Sequence, residues 1–284
     1  MTQEFVRGIR YLPTLPTVLN KIMELLNDDR STASDMEAII EPDQALCSKI
    51  LAVANSAYYG FRYKILTVKR ATVALGYDEI KNICLGASLM GFLHPSNFRD
   101  RTYAEQLWLH SIAVAETTRI LESQLNLGEG GASFTAGLLH DLGKVVLAAF
   151  YPEEVQKMFA LKQAENLTYR QAETAHGTDH ARIGKSLAEH WDLPPVLAEV
   201  LGYHHEFHSG LVFLPMVAAV HTADYLARSS SIGDSGNTDP PELKPRALQI
   251  LGLTPQGLEK CREELLGREE AILGLWTMLL GAGA

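Results

Sequence analysis

Apolar residues recur at helical spacing along almost the whole chain, and runs that alternate apolar with polar residues between hairpin turns are missing. A chain patterned in this way offers no strands to pair, so the expected fold class is all-α. Its 284 residues, 46% of them hydrophobic, can bury a full core, and the length allows one large domain or two smaller ones.

The first part, residues 1–99, contains a proline-started helix in "PTVLNKIMELL", another in "SDMEAIIE" and a third in "PDQALCSKILAVANSAYYG", closed by Gly60. A pair of helices split by Gly76 follows in "TVKRATVALGYDEIKNICLGASLMGFL", and "HPSNFRD" marks a boundary. The second part, residues 100–230, holds nearly all the histidines. In the third, residues 231–284, "SSSIGDSGNTDPPELKP" has the composition of a linker loop. Residues 245–284 then read as one or two helices ending in an unstructured "GAGA".

Several function classes fall away. A net charge of -9 argues against a surface built to neutralise a nucleic-acid backbone, and the basic residues Arg62, Lys64, Lys69 and Arg70 read as scattered. The start "MTQEFVRGIR" has no apolar core or cleavage site, and no run of about 18 uncharged apolar residues occurs. The expected location is the cytoplasm, with neither nucleic acid nor membrane as partner. Cys47, Cys84 and Cys261 form no C-x-x-C pair, so they predict core residues rather than disulfides or a thiolate zinc site.

Within "FTAGLLHDLGKVVLAAF", Phe134, Leu138, Val145 and Ala149 trace one face of a single helix, and Asp141 falls on that line. An unpaired carboxylate buried there would cost several kcal/mol, so a cation or strong donors should meet it. The same test, a polar residue on an apolar helical face, finds more groups. His110 follows Leu107 and precedes Val114; His180 lines up with Ile183, Leu187 and Trp191, behind Thr178 or Asp179 as N-cap. His204 follows Leu197 and Val200, with His205 about 100° round the helix, and Asp224 continues Val217 and Val220. Any one of these alone is more often a hydrogen-bonded core residue. Together they point to a shared cation, and histidine with carboxylate but without thiolate suits iron, manganese or zinc. His176, Asp179, His190, His208 and His221 read as surface, capping or supporting groups.

The order H, HD, H, HH, D resembles the HD-domain superfamily of metal-dependent phosphohydrolases. More closely, "YLPTLPTVLNKIMELLNDD", "IIEPDQALCSKILAVANSAYYG", "ATVALGYDEIKNICLGASL", "GLLHDLGKVVLAAF" and "HGTDHARIGKSLAEHWDLPPVLAEVLGYHHE" are similar to the HDOD family over roughly residues 5 to 227. The resemblance implies an N-terminal helical lobe packed on an HD-type helical lobe. It implies two divalent ions, with iron or manganese favoured over zinc. His110, His140, Asp141 and Asp224 match ligands of one ion, and His180 and His204 match ligands of the other, with His205 a weaker match and Asp141 bridging. Lys144 matches a lysine that approaches a substrate phosphate; a solvated or carboxylate-paired lysine is the plainer alternative. In catalysis, the ions would lower the pKa of a bound water from 15.7 towards about 7 and clamp a phosphoryl oxygen, with Asp141 and Lys144 at the reacting centre.

Two departures narrow this. After "HHE" comes "FHSGLVFLP", without the G-x-G-Y-P-like segment of relatives that cleave cyclic di-GMP, and Gln106 stands where trinuclear relatives place a glutamate. Neither that substrate nor a third metal is expected. Many HDOD proteins have lost part of the ligand set and resemble signalling modules, whereas this chain keeps all of it. The expectation is a bacterial-type HDOD signal-transduction protein that binds divalent metal and acts through signalling protein partners. The alternative is an active phosphohydrolase on a nucleotide-like, phosphate-containing ligand. "ICLGASLMGFL" and "AILGLWTMLL" read as core rather than partner grooves.

Overall fold

Several helix starts and stops follow local chemistry. The computed structural model describes residues 16–28, 30–56, 59–125, 127, 131–237 and 239–280, and among these every regular element is a helix. The fold is all-α, as the periodicity requires.

Helix α1 (Thr17–Asn27) starts directly after Pro16. In front of α2 (Ala33–Ile40), Thr32 and Asp35 exchange side-chain and backbone bonds in a capping box. Asp43 caps α3 (Gln44–Ala54) by accepting the Leu46 N–H at 2.9 Å. This helix ends well before Gly60, because the Asn55 side chain takes the chain out of it. Its amide donates to Leu51 O at 2.7 Å and Ile65 O at 2.8 Å, and its oxygen accepts from Ile65 N–H at 2.7 Å. Helices α4 (Val68–Leu75) and α5 (Tyr77–Phe92) meet at Gly76, whose φ of 87° a side chain would strain.

After a 3-10 turn at Pro95–Asn97, α6 (Arg101–Leu125) runs through the interior and buries Trp108, Ile112, Ala115 and Leu121. It packs against α7 (Ser133–Leu139), α13 (Leu214–Ser229), α15 (Pro255–Leu266) and α16 (Glu269–Leu280). Between these in sequence lie α8 (Leu142–Phe150), α9 (Pro152–Glu165), α10 (Tyr169–His176), α11 (His180–His190) and α12 (Pro195–Tyr203). Helix α8 packs on α11, α11 on α12, and α12 on α7. One hydrophobic cluster reaches from Leu19 to Leu279.

Residues 245–280 form three helices, one more than the sequence reading allowed. Gly252, at φ 61°, closes α14 (Pro245–Leu251), and Thr254 then caps α15 by accepting the Gly257 N–H at 3.1 Å. The C-terminal α16 returns to pack on α3, α5 and α6, and the "GAGA" stretch lies outside the described residues. The most apolar window, Ser133–Phe150, has a mean hydropathy of 1.2 and is 89% buried, so its apolarity serves packing inside the protein.

Candidate metal centre

The stretch read as one helix through residues 134–149 is broken in the middle. Helix α7 stops at Leu139, α8 starts at Leu142, and His140 and Asp141 form the step between them. Asp141 occupies the N-cap position of α8, yet its carboxylate makes no capping bond. It is turned instead towards a group of imidazoles. A polar group here gives up a local bond worth about 0.5–2 kcal/mol, so the interactions it makes with the imidazoles must outweigh that loss.

Other helices bring the remaining residues to the same place. His110 lies within α6, His180 is the first residue of α11 behind the Asp179 cap, and Asp224 lies in α13. Helix α12 ends at Tyr203, so His204 sits at its C-cap and His205 beyond it. That ending is why two adjacent histidines face one site, although continued helix would set them about 100° apart. Their ring centroids are 4.0 Å apart.

Asp141 is the hub. Its Oδ1 is 3.3 Å from His180 Nε2 and 3.8 Å from His204 Nε2, and its Oδ2 is 3.3 Å from His140 Nε2. The ligand atoms of Asp141, His180, His204 and His205 lie within 4.8 Å of one another, and so do those of His110, His140 and Asp141. Asp224 joins the second group through His110, with Oδ1 3.1 Å from His110 Nε2. His180 Nε2 and His205 Nε2 are 3.0 Å apart. The seven residues that the sequence placed in the ligand set therefore converge, and all but the half-buried His205 are buried.

Hydrogen bonding on the far side of each ring fixes what it offers to the centre. His140 Nδ1 faces Gly137 O at 2.8 Å, and His204 Nδ1 faces Val200 O at 3.0 Å. A carbonyl only accepts, so both Nδ1 atoms carry hydrogen; His204, held neutral by burial, turns a bare Nε2 lone pair towards Asp141, whereas Asp141 raises the His140 pKa against the effect of burial. His180 is held the same way by Glu173, whose carboxylate oxygens lie 2.8 Å from Nδ1 while one of them also accepts the His180 backbone N–H at 2.9 Å. Lone pairs facing a carboxylate repel unless a cation lies among them. His110 Nδ1, His140 Nε2, His204 Nε2 and Asp141 Oδ1 are buried without a hydrogen-bond partner among the described residues, while His110 Nε2 meets Asp224 Oδ1. Such orphaned atoms are rare in folded proteins and fit a divalent ion.

The charge states agree with that use. Burial would raise the Asp141 pKa, but His140 and Lys144 outweigh it and hold the carboxyl well below its usual range. Burial acts likewise on Asp224, where His110 outweighs it. Burial and the neighbouring rings push His204 and His205 well below the ordinary imidazole value, and burial lowers His110. At neutral pH the carboxylates are anionic and these imidazoles neutral, the forms a metal ion takes as ligands.

Lys144 is carboxylate-paired and sealed. Its Nζ donates to Asp141 Oδ2 at 2.8 Å and to Ser235 O at 3.2 Å, and it lies 4.8 Å from the centre of the Tyr169 ring. A cavity of about 280 Å³ borders the centre at His205 and Asp224, with Arg170, Arg228 and Lys244 also in its wall.

Sequence reasoning missed Glu173 and the contribution of the 231–244 segment. Glu173 lies four residues after Tyr169 on the buried side of α10, so the test that found His110 would have found it too. The segment supplies Ser235 O to Lys144 and an Asp239 carboxylate oxygen to Tyr169 N–H at 2.8 Å; a loop composition carries no sign of such contacts. The supporting roles sort by partner. His221 Nδ1 donates to His204 O at 2.8 Å and its Nε2 accepts the Lys244 N–H at 3.1 Å. Asp179, not Thr178, caps α11, His176 pairs with Glu154 at 3.1 Å, and His190 and His208 are exposed.

The chain matches the family model of the HDOD domain over residues 12–207. Among solved structures it is similar to an HDOD domain protein of unknown function from Geobacter sulfurreducens, with a TM-score of 0.77 and 23% identity over 98% of each chain. A candidate phosphohydrolase from Shewanella amazonensis SB2B has a TM-score of 0.74 and 19% identity, again over 98% of each chain. A candidate signal transduction protein from Marinobacter aquaeolei VT8 gives 0.70 and 22% identity, over 95% of this chain and 60% of that one. An uncharacterised protein of Treponema pallidum (strain Nichols) is 26% identical over 76% of this chain, which spans 42% of that relative's length.

Proposed function

This chain belongs to the HDOD family, and from that premise we propose that it is a cytoplasmic signal-transduction protein built around a divalent-metal centre and read out by protein partners. The observation that carries the metal is the set of buried, partnerless ring nitrogens turned on Asp141. In this reading His110, His140, Asp141 and Asp224 hold one ion, and Asp141, His180, His204 and His205 hold a second. The ligand types suit iron, manganese or zinc, and the family resemblance favours the first two. When bound, such ions supply Lewis-acid charge, which lowers the pKa of water and polarises a phosphoryl oxygen.

The protein's own groups set how that charge is used. Glu173 fixes the tautomer and the direction of His180, and Gly137 O does the same for His140. Lys144 neutralises part of Asp141 through Oδ2, the oxygen that His140 also faces. To meet a substrate it would have to leave both Asp141 and Ser235 O, and this favours regulation over turnover.

A phosphohydrolase is the second reading, favoured by the cavity that reaches the centre at His205 and Asp224, whose wall mixes Arg170, Arg228 and Lys244 with Glu206, Asp239 and Glu242. Thermal unfolding with and without manganese, together with hydrolysis of bis(4-nitrophenyl) phosphate, separates the two. Stabilisation by metal without hydrolysis supports the regulatory reading. Metal-dependent hydrolysis that disappears in Asp141→Asn moves the assignment to the enzyme, and no response to metal in either assay sinks both.

A further inference from the structure

An unusual surface lies at the other end of the chain. Tyr63 is 86% exposed, Val73 83% and Leu66 65%, with Phe61 beside them at 41%. Interleaved with them are the exposed basic residues Arg62, Lys64, Lys69 and Arg70. No acidic residue occurs from residue 44 to residue 77 in a chain whose net charge is -9. None of the four basic side chains forms an ion pair among the described residues; the nearest acid in sequence after them, Asp78, pairs with Lys81 at 3.0 Å.

The fold assembles these residues into one face. Lys69, Arg70 and Val73 lie on the exposed side of α4, while Val68, Ala71 and Thr72 are buried on the other, and Leu66 is exposed just before the Thr67 cap. The loop before α4 is tied down at its base by the Asn55–Ile65 bonds. Within it, Phe61 stacks on Tyr59 with ring centroids 5.9 Å apart, and the Tyr59 hydroxyl bonds to Glu79 and Arg119. Lys69 and Arg70 also stand in the first turn of α4, the positive end of the helix dipole, where positive charge weakens the isolated helix. An anchored segment that exposes this much apolar surface among unpaired cations is arranged for something outside the chain.

We infer that this face docks the protein on an anionic lipid surface. Cations within a Debye length of negative headgroups are attracted, and aromatic and aliphatic tips among them enter the interface. Leu66 and Val73 favour lipid over single-stranded nucleic acid, because neither has a flat face on which a base can stack. The absence of a spanning segment, from which the sequence reading expects no membrane partner, does not bear on a surface dock.

The test is co-sedimentation of the full chain with phosphatidylcholine vesicles, with and without phosphatidylglycerol. Binding should require phosphatidylglycerol and weaken with salt. It should fall about 25-fold in Lys64→Gln/Arg70→Gln, at roughly five-fold for each basic residue near the surface. A Tyr63→Ser/Leu66→Ser variant should also bind less, with an unchanged circular dichroism spectrum. The inference is overturned by equal binding to both vesicles, by no binding, or by variants that bind like wild type. Tighter binding to a single-stranded oligonucleotide or to poly-glutamate than to the vesicles overturns it too.

Discussion

Glu173→Gln should loosen one half of the metal centre and leave the other. The carboxylate is 3% exposed, lies 2.8 Å from His180 Nδ1 and accepts the His180 backbone N–H at 2.9 Å. A glutamine keeps one accepting oxygen for these two donors and turns an NH2 towards the other, so one bond to a charged acceptor is lost, a change of about 1.5–3 kcal/mol. Removing a group that orients a ligand costs about 10–100-fold in metal affinity, or about 1.4–2.7 kcal/mol, which is the same range. The loss should fall on the ion held by His180, His204 and His205, while the ion held by His110 and His140 keeps most of its affinity. Calorimetric titration with manganese resolves the two. Leu19→Ala, in α1, serves as control, since it lowers stability by about 2–5 kcal/mol without touching the centre. Wild-type affinity at both sites in Glu173→Gln, or an equal loss in Leu19→Ala, would refute the reasoning.

Other perturbations test the same geometry. In Gly143→Ala the new Cβ would stand 2.0 Å from His180 O and 2.8 Å from His180 C, so α8 and α11 must separate. The melting temperature should drop by several degrees, for a strain of about 1–3 kcal/mol or more, and manganese should bind more weakly. Lys144→Met removes the cation paired with Asp141, and the chelated protein should lose about 3–5 kcal/mol by denaturant unfolding. Manganese should restore more stability to this variant than to wild type, and an equal or smaller gain contradicts the pairing argument. In chelator, His204, His205 and His110 have folded pKa values below the ordinary 6.5, so the unfolded chain binds more protons in the interval beneath it. Their contribution is present above about pH 6.5 and is lost as pH falls. His221 is lowered with them, and among the histidines whose pKa shifts only His140 opposes, raised by Asp141 against the effect of burial, so the melting temperature should decline on acidification from pH 8 to 5.

The sequence is informative wherever burial imposes a period. Apolar spacing carries the all-α class, and the single rule of a polar residue on an apolar face points to His110, Asp141, His180, His204 and Asp224, which the structure brings together. Period fails where helices break. It places Asp141 inward on a continuous helix, whereas Asp141 faces inward because α7 and α8 part there. It turns His205 aside by an angle that holds only while α12 continues, and α12 has ended. Glycine, the familiar stop signal, would extend α3 to Gly60; the actual stop is a side-chain bond pattern from Asn55 to Ile65 that a local reading does not contain. The lock on Lys144 reaches from residue 144 to residue 235, and contacts at that range leave no trace in local spacing.

The central claim is that these side chains enclose divalent metal. The direct measurement is elemental analysis of protein purified without chelator or a metal-affinity tag, comparing wild type with Asp141→Ala. The account predicts about two ions per chain in wild type, iron or manganese, and a sharp fall in the variant, because Asp141 is shared by both groups of ligands. Wild-type protein that carries no metal, even after anaerobic addition of iron and manganese, would contradict it.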